Sequence, residues 1–71
     1  MNLSDAELHA PLGKFRIIRE DELGSKDVER DLDSLDGAKS YVNQFPGWGW
    51  QVRDDQAQIL YSKLLTFNPI Y

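Results

Sequence analysis

The chain has 71 residues, a formal net charge of −4 and no cysteine. This length predicts one small domain, and the absence of cysteine excludes a disulfide framework, a thiolate nucleophile and a thiolate metal site. His9 is the single histidine, which excludes a site built from several histidines. No apolar run reaches the about 20 residues of a membrane helix, so we expect a cytoplasmic protein without membrane contact. We also expect no cofactor.

Residues 1–13 are predicted to form a flexible N-terminal leader. Ser4 and Glu7 have the spacing of a capping box, in which each side chain accepts a hydrogen bond from the backbone N–H of the other residue. Pro11 and Gly13 then end any helix within a few residues. One helical turn and a disordered arm both fit this segment.

The next residues predict two strands joined by a polar loop. Residues 14–19 are rich in β-formers and alternate imperfectly between apolar and basic side chains, which indicates a first strand. Residues 20–26 contain a glycine among acids, so we expect a loop there. The alternation over residues 28–32 indicates a second strand, short and charged as an edge strand should be.

One helix is predicted to begin after Ser34. Asp33 or Ser34 can cap it, and the helix dipole favours Asp36 in the first turn. Pro46 and Gly47 end it. The residues that form one apolar stripe at helical spacing are Leu35, Ala38, Tyr41, Val42 and Phe45.

A β-hairpin is predicted over residues 48–62, with alternation on both sides of Asp54 and Asp55. A turn of two or four residues places the apolar side chains of both strands on one face, whereas a three-residue loop needs a bulge to do so. We therefore expect an even loop. With a two-residue turn, the facing pairs on the helix side are Val52 with Ala57, Trp50 with Ile59 and Trp48 with Tyr61.

The order of these elements predicts an α+β fold, in which a small antiparallel sheet of three to four strands carries one helix on one face. The order is β-β-α-β-β, or β-α-β-β if residues 28–32 do not form a strand. The domain covers residues 14–63, and an apolar tail covers residues 64–71. The other sheet face is expected to be open and mildly basic, and it carries Arg16, Ile18, Gln51, Arg53, Gln58, Leu60 and Ser62.

No pattern in the chain favours catalysis, so we expect that the protein is not an enzyme. The serines have no nearby base, because His9 lies in the leader. Asp31, Asp33 and Asp36 follow the spacing of a calcium loop only in part, and Val42 occupies the position where that loop needs glutamate. A helix cap explains these acids better.

The negative charge is concentrated in residues 20–36, which sum to −6. An acidic segment disfavours nucleic acid as its partner and favours a protein with a basic surface. The tail adds large apolar side chains that either pack on the domain or bind a partner.

We therefore expect a small, acidic, non-enzymatic protein-binding module, either an adaptor or an inhibitor. An inhibitor of a nucleic-acid-binding enzyme, encoded by a phage or mobile element, is one concrete form. Binding would use the acidic segment together with the open sheet face or the tail. The candidate partner-binding residues are Glu20, Asp21, Glu22, Asp27, Glu29, Asp31, Arg53, Leu60, Leu65 and Phe67.

Two other functions fit the sequence. Trp48 and Trp50, with nearby basic residues, are the residue types of a module that stacks on single-stranded nucleic acid. A tail or an edge strand that pairs with a second copy would make a self-assembling structural module or a homodimer. Salt-sensitive binding to an oligonucleotide identifies the first function, and sedimentation identifies the second.

Overall fold

The computed structural model describes residues 4–45 and 47–63, and within them it contains two helices and four strands. The predicted tail, residues 64–71, lies outside the described residues, and so do Leu65 and Phe67. The elements in chain order are α1 (Asp5–Leu8), β1 (Phe15–Glu20), β2 (Lys26–Leu32), α2 (Leu35–Asn43), β3 (Gly49–Arg53) and β4 (Ile59–Lys63).

The four strands form one antiparallel sheet in the order β2-β1-β3-β4. Helix α2 packs on one face of this sheet, against the central strands β1 and β3 and against β2. The predicted α+β fold is confirmed in its β-β-α-β-β form, which α1 precedes. The second strand is real, lies at a sheet edge as predicted, and begins two residues earlier, at Lys26.

Helix α2 begins where the sequence predicts. Ser34 is its N-cap, and the Ser34 hydroxyl accepts a hydrogen bond of 3.0 Å from the Gly37 N–H. A Cβ atom at position 37 would lie only 2.8 Å from that hydroxyl. Glycine inside the first turn, which weakens a helix on propensity alone, therefore leaves room for the cap.

The core lies between α2 and the two central strands. Trp50 is 3% exposed, and its indole N–H donates a hydrogen bond of 3.1 Å to the Phe45 carbonyl oxygen just beyond α2. Tyr41 meets the Trp50 ring edge-on, with the two ring centroids 6.2 Å apart. The buried members of this core are Ile17, Ala38, Val42, Trp50 and Val52.

The predicted hairpin register is wrong. The loop between β3 and β4 has five residues, because Asp54 Oδ1 accepts hydrogen bonds of 2.9 Å from the backbone N–H groups of Gln56 and Gln58. A bulge between β3 and β4 then returns Tyr61 to the helix side, opposite Val52. The observed facing pairs are Arg53 with Ile59, Val52 with Tyr61, Gln51 with Ser62 and Trp50 with Lys63.

Three side chains that the sequence placed in the core are exposed. Ile59 is 51% exposed because it pairs with Arg53 on the sheet face away from α2. Trp48 is 39% exposed because it precedes β3, and Phe45 is 41% exposed because α2 ends at Asn43. The alternation identifies a sheet face, but it does not determine how far the helix covers that face.

The sheet face away from α2 carries several of the expected residues and is only partly open. Arg16 lies opposite Arg53, and Ile18 lies opposite Gln51. Ile18 is fully buried, although it does not belong to the core under α2. Gln58 lies in the hairpin loop rather than in a strand.

Part of the predicted leader lies against the hairpin loop. The predicted capping box of α1 is present: the Ser4 N–H donates to the Glu7 carboxylate at 3.0 Å, and this bond lowers the pKa of Glu7. Ala10 is buried, and its N–H donates to the Asp54 carbonyl oxygen at 3.0 Å. The Arg16 guanidinium donates to the Glu7 carbonyl oxygen at 3.0 Å. The domain boundaries drawn from the sequence stay predictions.

We expect the two tryptophans to contribute very differently to stability. Trp50→Ala removes a buried indole and its hydrogen bond, and should lower the free energy of unfolding by about 3–5 kcal/mol. Trp48→Ala removes a half-exposed ring and should cost about 1 kcal/mol or less. Urea unfolding followed by circular dichroism measures both. Equal losses for the two variants would contradict the core described here.

Candidate functional site

One end of the sheet gathers several loops, and we call it the loop end: residues 20–25, Asp27, Phe45 and Trp48. The register defines it, because Glu20, the last residue of β1, lies opposite Lys26 of β2 and Gly49 of β3. The β1–β2 loop and the residues that lead from α2 into β3 therefore share this end. The hairpin loop and α1 lie at the opposite end.

Large apolar side chains are exposed at the loop end. Leu23 is 87% exposed in the β1–β2 loop, and Phe45 and Trp48 are the two half-exposed rings. Phe45 packs against the core, with its ring centroid 5.0 Å from that of Tyr41. The Arg19 guanidinium lies over the Trp48 ring, 4.9 Å from its centroid. The two rings are thus held by contacts while part of their surface faces solvent.

The loop that carries Leu23 is held by hydrogen bonds. Asp21 Oδ1 accepts bonds of 2.9 Å from the N–H groups of both Leu23 and Ser25. The backbone adds a 3.0 Å bond from the Asp21 N–H to the Ser25 carbonyl oxygen and a 3.1 Å bond from the Gly24 N–H to the Asp21 carbonyl oxygen. Gly24 has a φ of +85°, which other residues rarely adopt. The loop therefore presents its leucine from a defined backbone.

The acidic segment is divided by the fold. Four of its acids form ion pairs with cations of the same chain, and three of those cations come from β1 or the residue before it. The pairs are Asp33 with Lys14, Asp31 with Arg16 at 2.8 Å, Glu29 with Arg19 at 3.8 Å and Glu20 with Lys26 at 3.3 Å. These carboxylates join β1 to β2 and are not available as free charges.

The pair of Arg16 and Asp31 is the most complete of these. Both oxygens of Asp31 accept hydrogen bonds from the guanidinium, at 2.8 and 3.0 Å, and both side chains are partly buried. The hydrogen bond to Asp31 raises the pKa of Arg16 above its already high value. Arg16 lies opposite Arg53 across the strands, and the carboxylate of Asp31 offsets the repulsion between the two guanidinium groups.

Glu29 has a structural role as well. It is the extra residue of a bulge in β2, since Arg30 pairs with Ile17 and Val28 with Ile18. Its carboxylate accepts a hydrogen bond of 2.6 Å from the Tyr41 hydroxyl. This hydrogen bond, with some help from burial and from the negative charge of Glu29, raises the pKa of Tyr41.

The structure thus separates the candidate residues into three groups. Glu20, Asp21, Glu22 and Asp27 lie together at the loop end. Glu29 and Asp31 hold β1 and β2 together. Arg53 and Leu60 lie near the hairpin loop, where Arg53 donates hydrogen bonds to the Gln51 amide oxygen at 3.0 Å and to the Ala57 carbonyl oxygen at 2.8 Å.

Sequence reasoning missed Leu23, Phe45 and Arg19 as site residues. A signal for Leu23 was present: it is an apolar residue between an acid and a glycine in a segment predicted as a polar loop. Phe45 completed a helical stripe and was therefore assigned to the core. The contact of Arg19 with Trp48 depends on the register of β1 with β3, which the sequence does not indicate.

No group of three or more metal-ligating side chains occurs within residues 4–45 and 47–63. The His9 ring nitrogen Nδ1 lies 3.0 Å from the Asp55 carbonyl oxygen, so the described contact of His9 is with the hairpin loop. Among the helices described, none has the length and apolar character needed to cross a membrane.

Comparison with known proteins identifies no relative. No family model matches the chain. No curated protein and no solved structure matches it significantly. The function is therefore inferred from the residues and geometry alone.

The hydrogen bond between Tyr41 and Glu29 predicts that the Tyr41 hydroxyl ionises at a raised pH. The folded-state pKa of Tyr41 lies above the ordinary value of 10.0. Its contribution to stability is therefore fully present below the unfolded pKa and is lost as the pH rises through the folded pKa. In a spectrophotometric titration of tyrosinate, Tyr41 should therefore ionise at a pH above its ordinary value of 10.0.

Two variants identify that transition. Tyr41→Phe should remove this ionisation, and Glu29→Gln should keep it but move it to lower pH, because the carboxylate no longer opposes the phenolate. If Glu29→Gln left the titration curve unchanged, Glu29 would not have the role described here.

Proposed function

We propose that this protein is a small, non-enzymatic protein-binding module, an adaptor or an inhibitor, that binds its partner through the loop end. One observation carries the proposal: Leu23, Phe45 and Trp48 are exposed at the same end of the sheet, on backbone that hydrogen bonds and ring contacts hold in place. The cytoplasmic location expected from the sequence stays a prediction.

Exposure of these side chains is unfavourable for the isolated protein. A chain of this size has few large apolar residues with which to build a core. Leaving Leu23 in water forgoes about 1.5–3 kcal/mol of burial free energy. A partner that covers Leu23 and Trp48 would recover such energy at the binding step.

The composition of the surface also supports a protein partner. Tryptophan and arginine are the residues most often found at energetic centres of protein interfaces. Here Trp48 and Arg19 contact each other, and Trp48 is attached to the core through its neighbours in β3. Because the loop and the rings are already held, binding would require little further ordering of the module.

A nucleic-acid-binding function is the second candidate. The observation that favours it is the half-exposed Trp48 ring with the Arg19 guanidinium over it, since bases stack on such rings. The acids Asp21, Glu22 and Asp27 at the same end oppose it, because they would repel the phosphate backbone. We therefore rank it below protein binding.

Affinity capture with matched variants tests the proposal. The tagged protein, the Trp48→Ala variant and the Leu23→Ser variant are each used to capture partners from nuclease-treated lysate, with quantitative mass spectrometry as the readout. We expect a stoichiometric protein partner with the unaltered chain, reduced at least tenfold in both variants. Circular dichroism confirms that each variant is folded.

Leu12 provides the control. It is a leucine of matching exposure, 89%, and it lies towards the opposite end of the sheet. Leu12→Ser should retain the partner in full. Loss of the partner in Leu12→Ser but not in Leu23→Ser would reject the loop end as the binding surface, and a partner recovered only without nuclease would favour nucleic acid.

A further inference from the structure

The loop end has acids that the protein does not neutralise. Glu22 and Asp27 are exposed and form no ion pair with a described residue. Glu22 directly precedes Leu23, and Asp27 follows the same loop at the start of β2. Asp21 uses one carboxylate oxygen within the loop but keeps its negative charge. An acid without an ion pair thus directly precedes Leu23, and of the two charged residues that follow it, Lys26 is paired with Glu20 and Asp27 has no ion pair to a described residue.

The cations at this end are mostly engaged. Arg19 contacts the Trp48 ring and the Glu29 carboxylate, and Lys26 pairs with Glu20. Lys63 forms no ion pair with a described residue. It lies on β4, opposite Trp50 of β3, and β4 is the edge strand farthest from β2. The acids without an ion pair to a described residue thus lie close to Leu23 along the chain, whereas Lys63 lies on the far edge strand.

We infer that the loop end binds a cationic peptide segment in which a large apolar side chain is flanked by lysine or arginine. This inference rests on the proposed function and adds the chemistry of the partner. The apolar side chain packs against Leu23 and Trp48. The flanking cations lie near Glu22 and Asp27.

The two kinds of contact contribute differently. The apolar contact supplies most of the affinity, because it removes exposed leucine and tryptophan surface from water. The charges steer the encounter and select against acidic or neutral segments. Since Glu22 and Asp27 are exposed, neutralising both should weaken binding only about three- to tenfold, and added salt should weaken it in the same way.

Selection from a random peptide library displayed on phage tests the inference directly. The full-length protein is the bait, and selected peptides are synthesised and titrated by fluorescence anisotropy. We expect enrichment of peptides with a large apolar residue flanked by lysine or arginine. Their affinity should fall at least tenfold with Trp48→Ala, three- to tenfold with Glu22→Gln plus Asp27→Asn, and not at all with Leu12→Ser.

The outcomes separate the inference from the function it rests on. Enriched peptides that are neutral or acidic but lose affinity with Trp48→Ala would overturn the cationic partner and leave the binding surface intact. Peptides indifferent to Trp48→Ala would overturn both, and no enrichment would overturn the cationic peptide segment while the capture experiment decides the proposed function. Trp48-dependent binding of a single-stranded oligonucleotide, or Trp48-dependent self-association in sedimentation, would replace the peptide by nucleic acid or a second copy.

Discussion

The hydrogen bond from the Trp50 indole to the Phe45 carbonyl oxygen holds the chain just beyond helix α2 against the sheet. It joins the end of α2 to the start of β3, and it holds Trp50 in a core of five buried residues. Because α2 ends at Asn43, Phe45 and Trp48 lie past the helix and remain partly exposed. The contact that completes the core therefore also defines the surface that we propose for binding.

Electrostatics follows from the same topology. Strand β1 lies between β2 and β3, so the basic side chains of β1 lie opposite acidic side chains of β2. Asp31 and Glu29 are used there, and the acids of the segment without an ion pair to a described residue are Asp21, Glu22 and Asp27 at the loop end and Asp36 in the first turn of α2. The proposed binding surface is consequently smaller than the acidic segment, and it combines charge with exposed apolar side chains.

The sequence predicts well the features that burial alone determines. Helix α2 and strands β1, β3 and β4 follow from periodicity, because one face of each element must meet the core, and the sequence leaves β2 as one of two alternatives. The prediction from sequence fails where hydrogen bonds or exposure of particular side chains override that periodicity. Asp54 closes the hairpin loop at five residues and displaces Ile59 from the core side. Trp48 and Phe45 have the correct spacing for the core, but no spacing indicates where the helix stops covering the sheet. Leu23 could have been recognised as an apolar residue in a polar turn.

The most direct measurement is nuclear magnetic resonance of the two tryptophan indole N–H groups while a captured partner is added. The Trp50 indole is bonded to Phe45 and serves as the internal reference. We predict that the Trp48 indole and the Leu23 amide resonances shift strongly, while those of Gln51, on the sheet face away from α2, and of Leu60, near the hairpin loop, do not. Strong shifts at Gln51 and Leu60, with Trp48 unchanged, would contradict the assignment of binding to the loop end.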